Sequence, residues 1–449
     1  MRDAFINVIG AGLAGCEAAH AASSLGVRVR LFEMKPAQYT PAHRSPDFAE
    51  LVCSNSLRSD SLTNAVGLLK EEMRRLGSLT MRCADASRVP AGSALAVDRE
   101  KFSKSVTGAV RSDPLIEIAE REMTSVPEGI TVIATGPLTS PAMSEYIEKE
   151  LGCGALHFFD AAAPIVDGST VNKDVAFYAS RYGKGDADYL NCPMNREEYE
   201  AFYEALVGAR EAELHGFDRE AQRNLNVFEG CMPVEVMARR GRDTLRFGPL
   251  KPVGLTDPRY PERDFYAVVQ LRKENAAGTM FNLVGFQTHL AFPEQKRVFR
   301  MIPGLENAEF LRYGVMHRNT YLDSPGRLGP DYMLRDRPGI YFAGQMTGVE
   351  GYVESAASGL AAGICAARRA LGLETVVFPE ETMIGAMASY VSRGGTGPFV
   401  PMNANFGIIA PLPARVKGGR VAKYTAYAER SLEAVERTGK LIFPAEIGQ

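Results

Sequence analysis

An α/β fold is what this 449-residue sequence predicts: a Rossmann-type dinucleotide-binding domain built from two distant segments, residues 1–150 and 326–449, with an α+β domain, residues 151–325, inserted between them. Three observations carry that reading. The chain opens on a compact βαβ unit with a G-x-G-x-x-G turn. Two further strand-to-glycine junctions lie far downstream, and the stretch between them has a different texture.

Residues 4–9, AFINVI, form an apolar run that ends in Gly10-Ala11-Gly12-Leu13-Ala14-Gly15, and an Ala-rich segment from Cys16 to Leu25 follows. This reads as strand, tight turn and helix. Gly26 closes the helix, and Val27 to Phe32 makes a second strand ending at Glu33. The three glycines differ in purpose. Gly10 permits the turn, Gly12 lets backbone approach a pyrophosphate, and Gly15 lets helix and strand pack closely. Glu33 stands where a carboxylate accepts hydrogen bonds from ribose hydroxyls. Ile130 to Ala134 is a further strand running into Thr135-Gly136, a turn common in flavin-binding proteins. Gly339 to Gly344 is another, followed by Gln345, Gly348, Gly351 and an Ala-rich helix to Leu371. Taken alone, Gly344 to Gly351 also reads as an ordinary loop before a helix. The insert predicts a charged helix over Asn195 to Glu213 and extended pieces at Phe265–Leu271 and Met280–Phe286. A Gly- and Pro-rich loop spans Ser392 to Arg420, and Ala422 to Lys440 reads as a surface amphipathic helix.

The net charge of −3, with 45% apolar and 23% charged residues, excludes a disordered chain or a wholly basic nucleic-acid coat. No apolar run is long enough to span a bilayer, and the N-terminus lacks the features of a signal peptide, so a cytoplasmic protein without membrane contact is expected. The seven cysteines, 16, 53, 83, 153, 192, 231 and 365, contain no Cys-x-x-Cys pair. That disfavours a disulfide framework, a zinc site and a redox dithiol alike; no metal is expected, and any cysteine chemistry uses single thiols.

Six motifs then carry a resemblance. GAGLAGCEAA at the start, LVCSNSLRSD at 51–60, FEGCMPVEVMARRG at 228–241, GFQTHL at 285–290, RYGVMHRNTY at 312–321 and YFAGQMTGVEGYVESAASG at 341–359 run through essentially the whole chain in order. Together they resemble the TrmFO branch of the MnmG/TrmFO flavoprotein family, the folate- and FAD-dependent tRNA (uracil-5-)-methyltransferases. The chain lacks the long C-terminal extension typical of the sister MnmG branch. The resemblance implies that the discontinuous domain binds FAD through Gly10, Ala11, Gly12, Leu13, Ala14, Gly15, Glu33, Gly344, Gln345 and Gly351. It implies 5,10-methylenetetrahydrofolate and NADPH or NADH as cosubstrates, the T arm of tRNA as partner, and 5-methyluridine at position 54 as product. No obligate protein partner is expected.

The chemistry has a physical logic. Uracil C5 is a poor nucleophile, and addition of a thiolate to C6 converts the ring into an enolate with electron density at C5. C5 then takes the one-carbon unit, a base removes the C5 proton, and a flavin hydride reduces the resulting methylene. The resemblance implies Cys231 as the nucleophile and Cys53 as the C5 base. Without it, each cysteine reads more readily as a buried small apolar residue, although Cys53 sits among Ser, Asn and Arg58 in a polar stretch. Cys192 has no assigned role. Just beyond Cys231, the stretch Met237–Pro252 holds Arg239, Arg240, Arg242, Arg246 and Lys251 against one acid, Asp243; the four arginines are candidate contacts to RNA phosphate, or else a solvated basic loop. His289 and His317 are candidates for folate or uracil contact, or locally satisfied histidines. The same chemistry on a ribosomal RNA uridine and a flavin oxidoreductase of a small substrate stand as alternatives.

Overall fold

A computed structural model of the chain describes residues 4–40, 42–183, 186–212, 232–314, 316–395 and 399–443. Its central element is a five-stranded parallel sheet in the order Ile340–Phe342, Thr131–Ile133, Phe5–Ile9, Arg28–Glu33, Ile116–Glu120. Strand Phe5–Ile9 is almost wholly buried, with helices Leu13–Ser24 and Tyr352–Ala370 packed against the sheet; its near-continuous apolar sequence suits that burial. The strand order reverses direction beside this strand. That is the switch point at which parallel sheets open a crevice.

Helices Leu13–Ser24 and Tyr352–Ala370 pack against each other through their small residues. A Cβ on Gly359 would lie 2.2 Å from Ala14 O, and one on Gly363 2.5 Å from Ala18 O. Two buried carboxylates tie further helices to this core. Glu17 accepts from the amides of Leu79 (3.1 Å) and Thr80 (2.8 Å) at the start of helix Leu79–Ala86. Glu72 accepts from Met383 (2.7 Å) and Ile384 (2.9 Å) at the start of helix Met383–Arg393, where burial pushes its carboxyl up to about 7. The C-terminal helix, Gly419–Ile442, buries Tyr427, Leu432 and Val435 and leaves its other face exposed, as its amphipathic sequence predicts.

The inserted region forms a six-stranded antiparallel sheet in the order Phe177–Ala179, Tyr189–Met194, Ala267–Lys273, Met280–Leu283, Ile165–Asp167, Phe310–Arg312. Helix Arg196–Val207 packs on it. Asn195 caps that helix in a reciprocal capping box with Glu198, and it ends at Gly208, short of the predicted Glu213. The apolar residues divide accordingly into one large cluster drawing on residues up to Cys153 and from Leu322 onward, and a second running from Ala163 to Ala308. The chain enters and leaves the insert through one antiparallel pair, Ala155–Ala161 with Met316–Leu322. Among the described residues, no helix is long and apolar enough to cross a membrane.

Candidate functional site

A cleft of about 480 Å³ opens at the switch point, at the C-terminal ends of strands Phe5–Ile9 and Thr131–Ile133. Its volume falls in the range of roughly 300–1,000 Å³ usual for small-molecule sites. Gly10, Ala11, Gly12, Leu13, Ala14, Glu33, Ala134, Thr135 and Gly136 line one end. The three fingerprint glycines do three different things. Gly10 has φ +97°, and a Cβ there would stand 2.6 Å from Ala134 O. Gly12 has nothing within 4 Å of its would-be Cβ, so a ligand is free to approach its backbone. Gly15 does not line the cleft; its Cβ would fall 1.7 Å from Gly10 O, which makes it a packing residue and not a contact to the ligand.

Gly12 caps helix Leu13–Ser24 without a side-chain hydrogen bond, and Gly351, at φ +118°, caps helix Tyr352–Ala370 in the same way. Two helix N-termini without a side-chain cap therefore meet at one cleft; the second holds Glu354 in its first turn, whereas the first holds no acid and suits an anionic ligand such as a dinucleotide pyrophosphate. Gly344 (φ +84°), Gln345 and Gly351 also line the cleft; Gly344 N donates to Ser358 Oγ at 2.8 Å and Gln345 Nε2 to Glu350 Oε2 at 2.5 Å. Glu33 is buried. It accepts from the amides of Ala11 (2.8 Å) and Lys35 (3.0 Å), so it braces the glycine turn as well as facing the cleft.

The other end of the cleft is built from side chains. Cys53 is half-buried, whereas Cys16, Cys83, Cys153, Cys192 and Cys365 are buried. Tyr352 Oη accepts from Cys53 N (2.7 Å) and Ser54 N (3.4 Å) and lies 2.9 Å from Cys53 Sγ. With its lone pairs facing two amides, the hydroxyl has its proton left for the sulfur. Burial, and then the neighbouring sulfur, push the phenol well above its usual range, so it stays a donor. Arg272, almost fully buried, donates to Ser54 Oγ (2.8 Å) and Asn55 Oδ1 (2.9 Å), and Asn55 Nδ2 reaches Val97 O (3.0 Å) and Lys273 O (2.8 Å). Arg99 donates to Leu51 O (2.7 Å) and pairs with Glu274. These bonds pin the Cys53 loop to strand Ala267–Lys273 of the insert.

Sequence reasoning missed Tyr352, Arg272, Arg99 and one more residue of the cleft wall, His43. Its Nδ1 lies 2.6 Å from Thr40 Oγ1, and burial, then the charge of Lys35, push the imidazole down to about 4, which leaves it neutral at pH 7. Tyr352 stood in plain view, in the motif GVEGYVES, with nothing in its local pattern to mark it.

The remaining predicted residues separate. Cys231 lies outside the described residues; Val234, three positions on, donates to Gln287 O at 2.7 Å, and Gln287 lines the cleft. Arg239 pairs with Glu211, Arg242 with Glu204 and Arg246 with Asp243 at 2.7 Å, while Arg240 is exposed. Arg246 also lies 3.6 Å over the Tyr266 ring and Arg242 5.3 Å over Tyr203. The local excess of positive charge read from Met237 to Pro252 is thus largely met by carboxylates within the fold. His289 is buried away from the cleft, its Nδ1 3.8 Å from Glu211 Oε2, in the manner of a satisfied core histidine; the side chain of His317 is not among those described. Burial pushes the Cys192 thiol far up, consistent with a structural residue. No group of metal-binding side chains occurs among the described residues.

Comparison with known proteins gives three results. The family model for glucose inhibited division protein A matches residues 5–374. Relatives include the methylenetetrahydrofolate--tRNA-(uracil-5-)-methyltransferase TrmFO of Acetivibrio thermocellus, 59% identical over 433 residues covering 96% of this chain and 98% of that one. That of Enterococcus faecalis is 57% identical over 428 residues, 95% and 97% of the two chains. Among solved structures, Aquifex aeolicus GidA superposes with a TM-score of 0.70 at 18% identity, covering 98% of this chain and 74% of the other, a likeness of fold.

Proposed function

We infer the reaction from one premise: this chain belongs to the glucose inhibited division protein A family and, within it, to the TrmFO methyltransferases. The reaction is transfer of the one-carbon unit of 5,10-methylenetetrahydrofolate to C5 of a tRNA uridine and its reduction to a methyl group. FAD, reduced by NADPH or NADH, supplies the hydride for that reduction when bound. The cleft fits it: the open side of Gly12 and the uncapped, acid-free N-terminus of helix Leu13–Ser24 are a cradle for a pyrophosphate. Ala11 to Ala14, Glu33, Gly344, Gln345 and Gly351 would hold it, with Gly10 and Gly15 shaping the turn beneath. In this reading residues 1–150 and 326–449 are the FAD-binding domain and 151–325 the substrate domain.

The side-chain end of the cleft does the proton chemistry. Cys231 adds to C6 of the uracil, the C5 carbon takes the one-carbon unit, and Cys53 Sγ receives the C5 proton as tetrahydrofolate departs with the electron pair of its C–N bond. Tyr352 donates to the Cys53 sulfur and so favours the thiolate that must act as base. Arg272 and Arg99 hold the loop in place. Departure of Cys231 from C6 restores the ring. Val234, anchored to the cleft residue Gln287, supports this placement of the nucleophile. The acceptor is the T-loop uridine at position 54, and no second protein is required.

The observation that carries the reading is the Cys53–Tyr352 pair on the same cleft as the glycine cradle. The experiment is transfer of labelled methylene carbon from methylenetetrahydrofolate to unmodified tRNA by the purified flavoprotein with NADPH, S-adenosylmethionine serving as control donor. Label in T-loop 5-methyluridine is the expected result. Label that enters only from S-adenosylmethionine, or none at all, overturns it.

A further inference from the structure

From Thr382 to Ala428 the chain contains no Asp or Glu, and it carries five basic residues: Arg393, Arg415, Lys417, Arg420 and Lys423. At the average of 54 acids in 449 residues, a stretch of this length would hold about five or six. Arg393 pairs with Glu380, but the other four are exposed, and none pairs with a carboxylate among the described residues. We propose that this acid-free wall, centred on Arg415, Lys417, Arg420 and Lys423, is the face on which the phosphate backbone of the RNA substrate docks. This rests on the reading that the substrate is a tRNA.

Two features support the choice. The first is an arrangement that stability alone disfavours. Arg420 and Lys423 lie at the start of the C-terminal helix Gly419–Ile442, whose cap, Gly418 at φ +110°, offers no side-chain acceptor, and the first turn contains no acid. A helix N-terminus carries a partial positive charge, so cations there raise the energy of the protein by themselves, and a polyanion relieves it. The second is position. Asn403 lines the cleft and donates to Glu350 O at 2.6 Å. Phe406, three residues on and so at most about 11 Å along the chain, stacks on Tyr424 at 4.2 Å between ring centroids. Arg420 lies 5.1 Å over that same Tyr424 ring, and Lys423 lies 5.7 Å over Tyr427. Arg420 and Lys423 are thus seated on aromatic faces a short stretch of chain from the cleft, where a strand delivering one base inward would pass.

The test uses the FAD-loaded full chain and an unmodified tRNA transcript. In the quadruple variant Arg415→Gln, Lys417→Gln, Arg420→Gln, Lys423→Gln, Kd for tRNA should rise on the order of 10-fold or more near 0.15 M salt, and the slope of log K against log salt should fall by roughly 2, as expected for the loss of two or three phosphate contacts. NADPH-driven flavin reduction without RNA should not change. The charge-preserving Arg415→Lys, Arg420→Lys variant should keep the wild-type slope. A quadruple variant that retains both affinity and slope, while the wild type methylates the transcript, overturns the docking face alone. A wild type that reduces its flavin but neither binds nor methylates the transcript overturns the functional reading and this inference with it. If the quadruple variant does not fold, Lys417→Gln with Lys423→Gln decides on the same slope, with no change counting against the proposal.

Discussion

The two ends of the cleft are made of different material. At the nucleotide end the working parts are backbone: the amides of the uncapped helix Leu13–Ser24, the open flank of Gly12 and the turn at Gly10. At the reactive end they are side chains, with Cys53, Tyr352, Ser54, Asn55 and Arg272 held in one hydrogen-bonded set whose members come from three distant stretches of chain. A backbone site tolerates one residue type at each key position and fails all at once. A side-chain site can be altered one residue at a time, and because its bonds share partners each loss is felt by the neighbours as well.

The sharpest way to break that contrast is at Gly12. Gly12→Val places its side chain in open space within the protein, so the variant should fold with the thermal midpoint of the flavin-stripped wild type and purify without stoichiometric flavin, read from the flavin absorbance per chain. Gly15→Val, with a Cβ falling on Gly10 O, should instead fail as a folding defect. A Gly12→Val protein that keeps a full complement of flavin removes the backbone half of the comparison.

Cys53→Ala comes next. Methyl transfer should fall by about 10²–10⁴-fold, the usual contribution of a positioned base, while flavin content and its reduction by NADPH stay near wild type. Should the variant methylate tRNA at close to the normal rate, the proton goes elsewhere. Tyr352→Phe should cost less, about 10–100-fold in kcat, matching the loss of one hydrogen bond to a charged group worth roughly 1.5–3 kcal/mol. Because the phenol favours the thiolate, its removal raises the Cys53 pKa, and the limb of the pH–rate profile that rises with pH should move to higher pH. A profile that does not move assigns Tyr352 a packing role only.

The smallest effect lies at His43. Its pKa in the folded protein, about 4, is below its ordinary value of 6.5, so the stabilisation tied to its neutral form is present above pH 6.5 and is lost as pH falls through about 4. Denaturant titrations over that window should show a smaller acid-induced loss in His43→Gln than in wild type, and equal losses remove His43 from the account.

The contrast also explains what the sequence made legible. Gly10, Gly12, Gly15 and Glu33 could be read because a turn, an open approach and a close packing contact each demand glycine, within one short βαβ unit. The charged helix beginning at Asn195 was legible for the same local reason, and the overshoot to Glu213 came from a polar tail that continues the charge pattern beyond Gly208. Tyr352 and Cys53 stand 299 positions apart, and Arg272 and Ser54 218 apart; no window on the chain contains both partners. Two of the arginines after Cys231 also pair outside their own stretch of chain. Arg239 and Arg242 meet Glu211 and Glu204, which lie far enough back in the sequence that a local count never sees them.

The paired strands through which the insert enters and leaves have a consequence for how such a chain could be rebuilt. Ala155 stands opposite Leu322 at the base of the ribbon, so the two cut ends of the parent fold are neighbours, at the roughly 4.5–5.5 Å separation of antiparallel partners. A two-residue turn spans that gap. The insert therefore joins the rest of the chain at one place, and Arg272, Lys273 and Glu274 tie it back to the Cys53 loop and Arg99. Exchange of the insert would then need two crossovers at one place, with the bonds to the Cys53 loop remade.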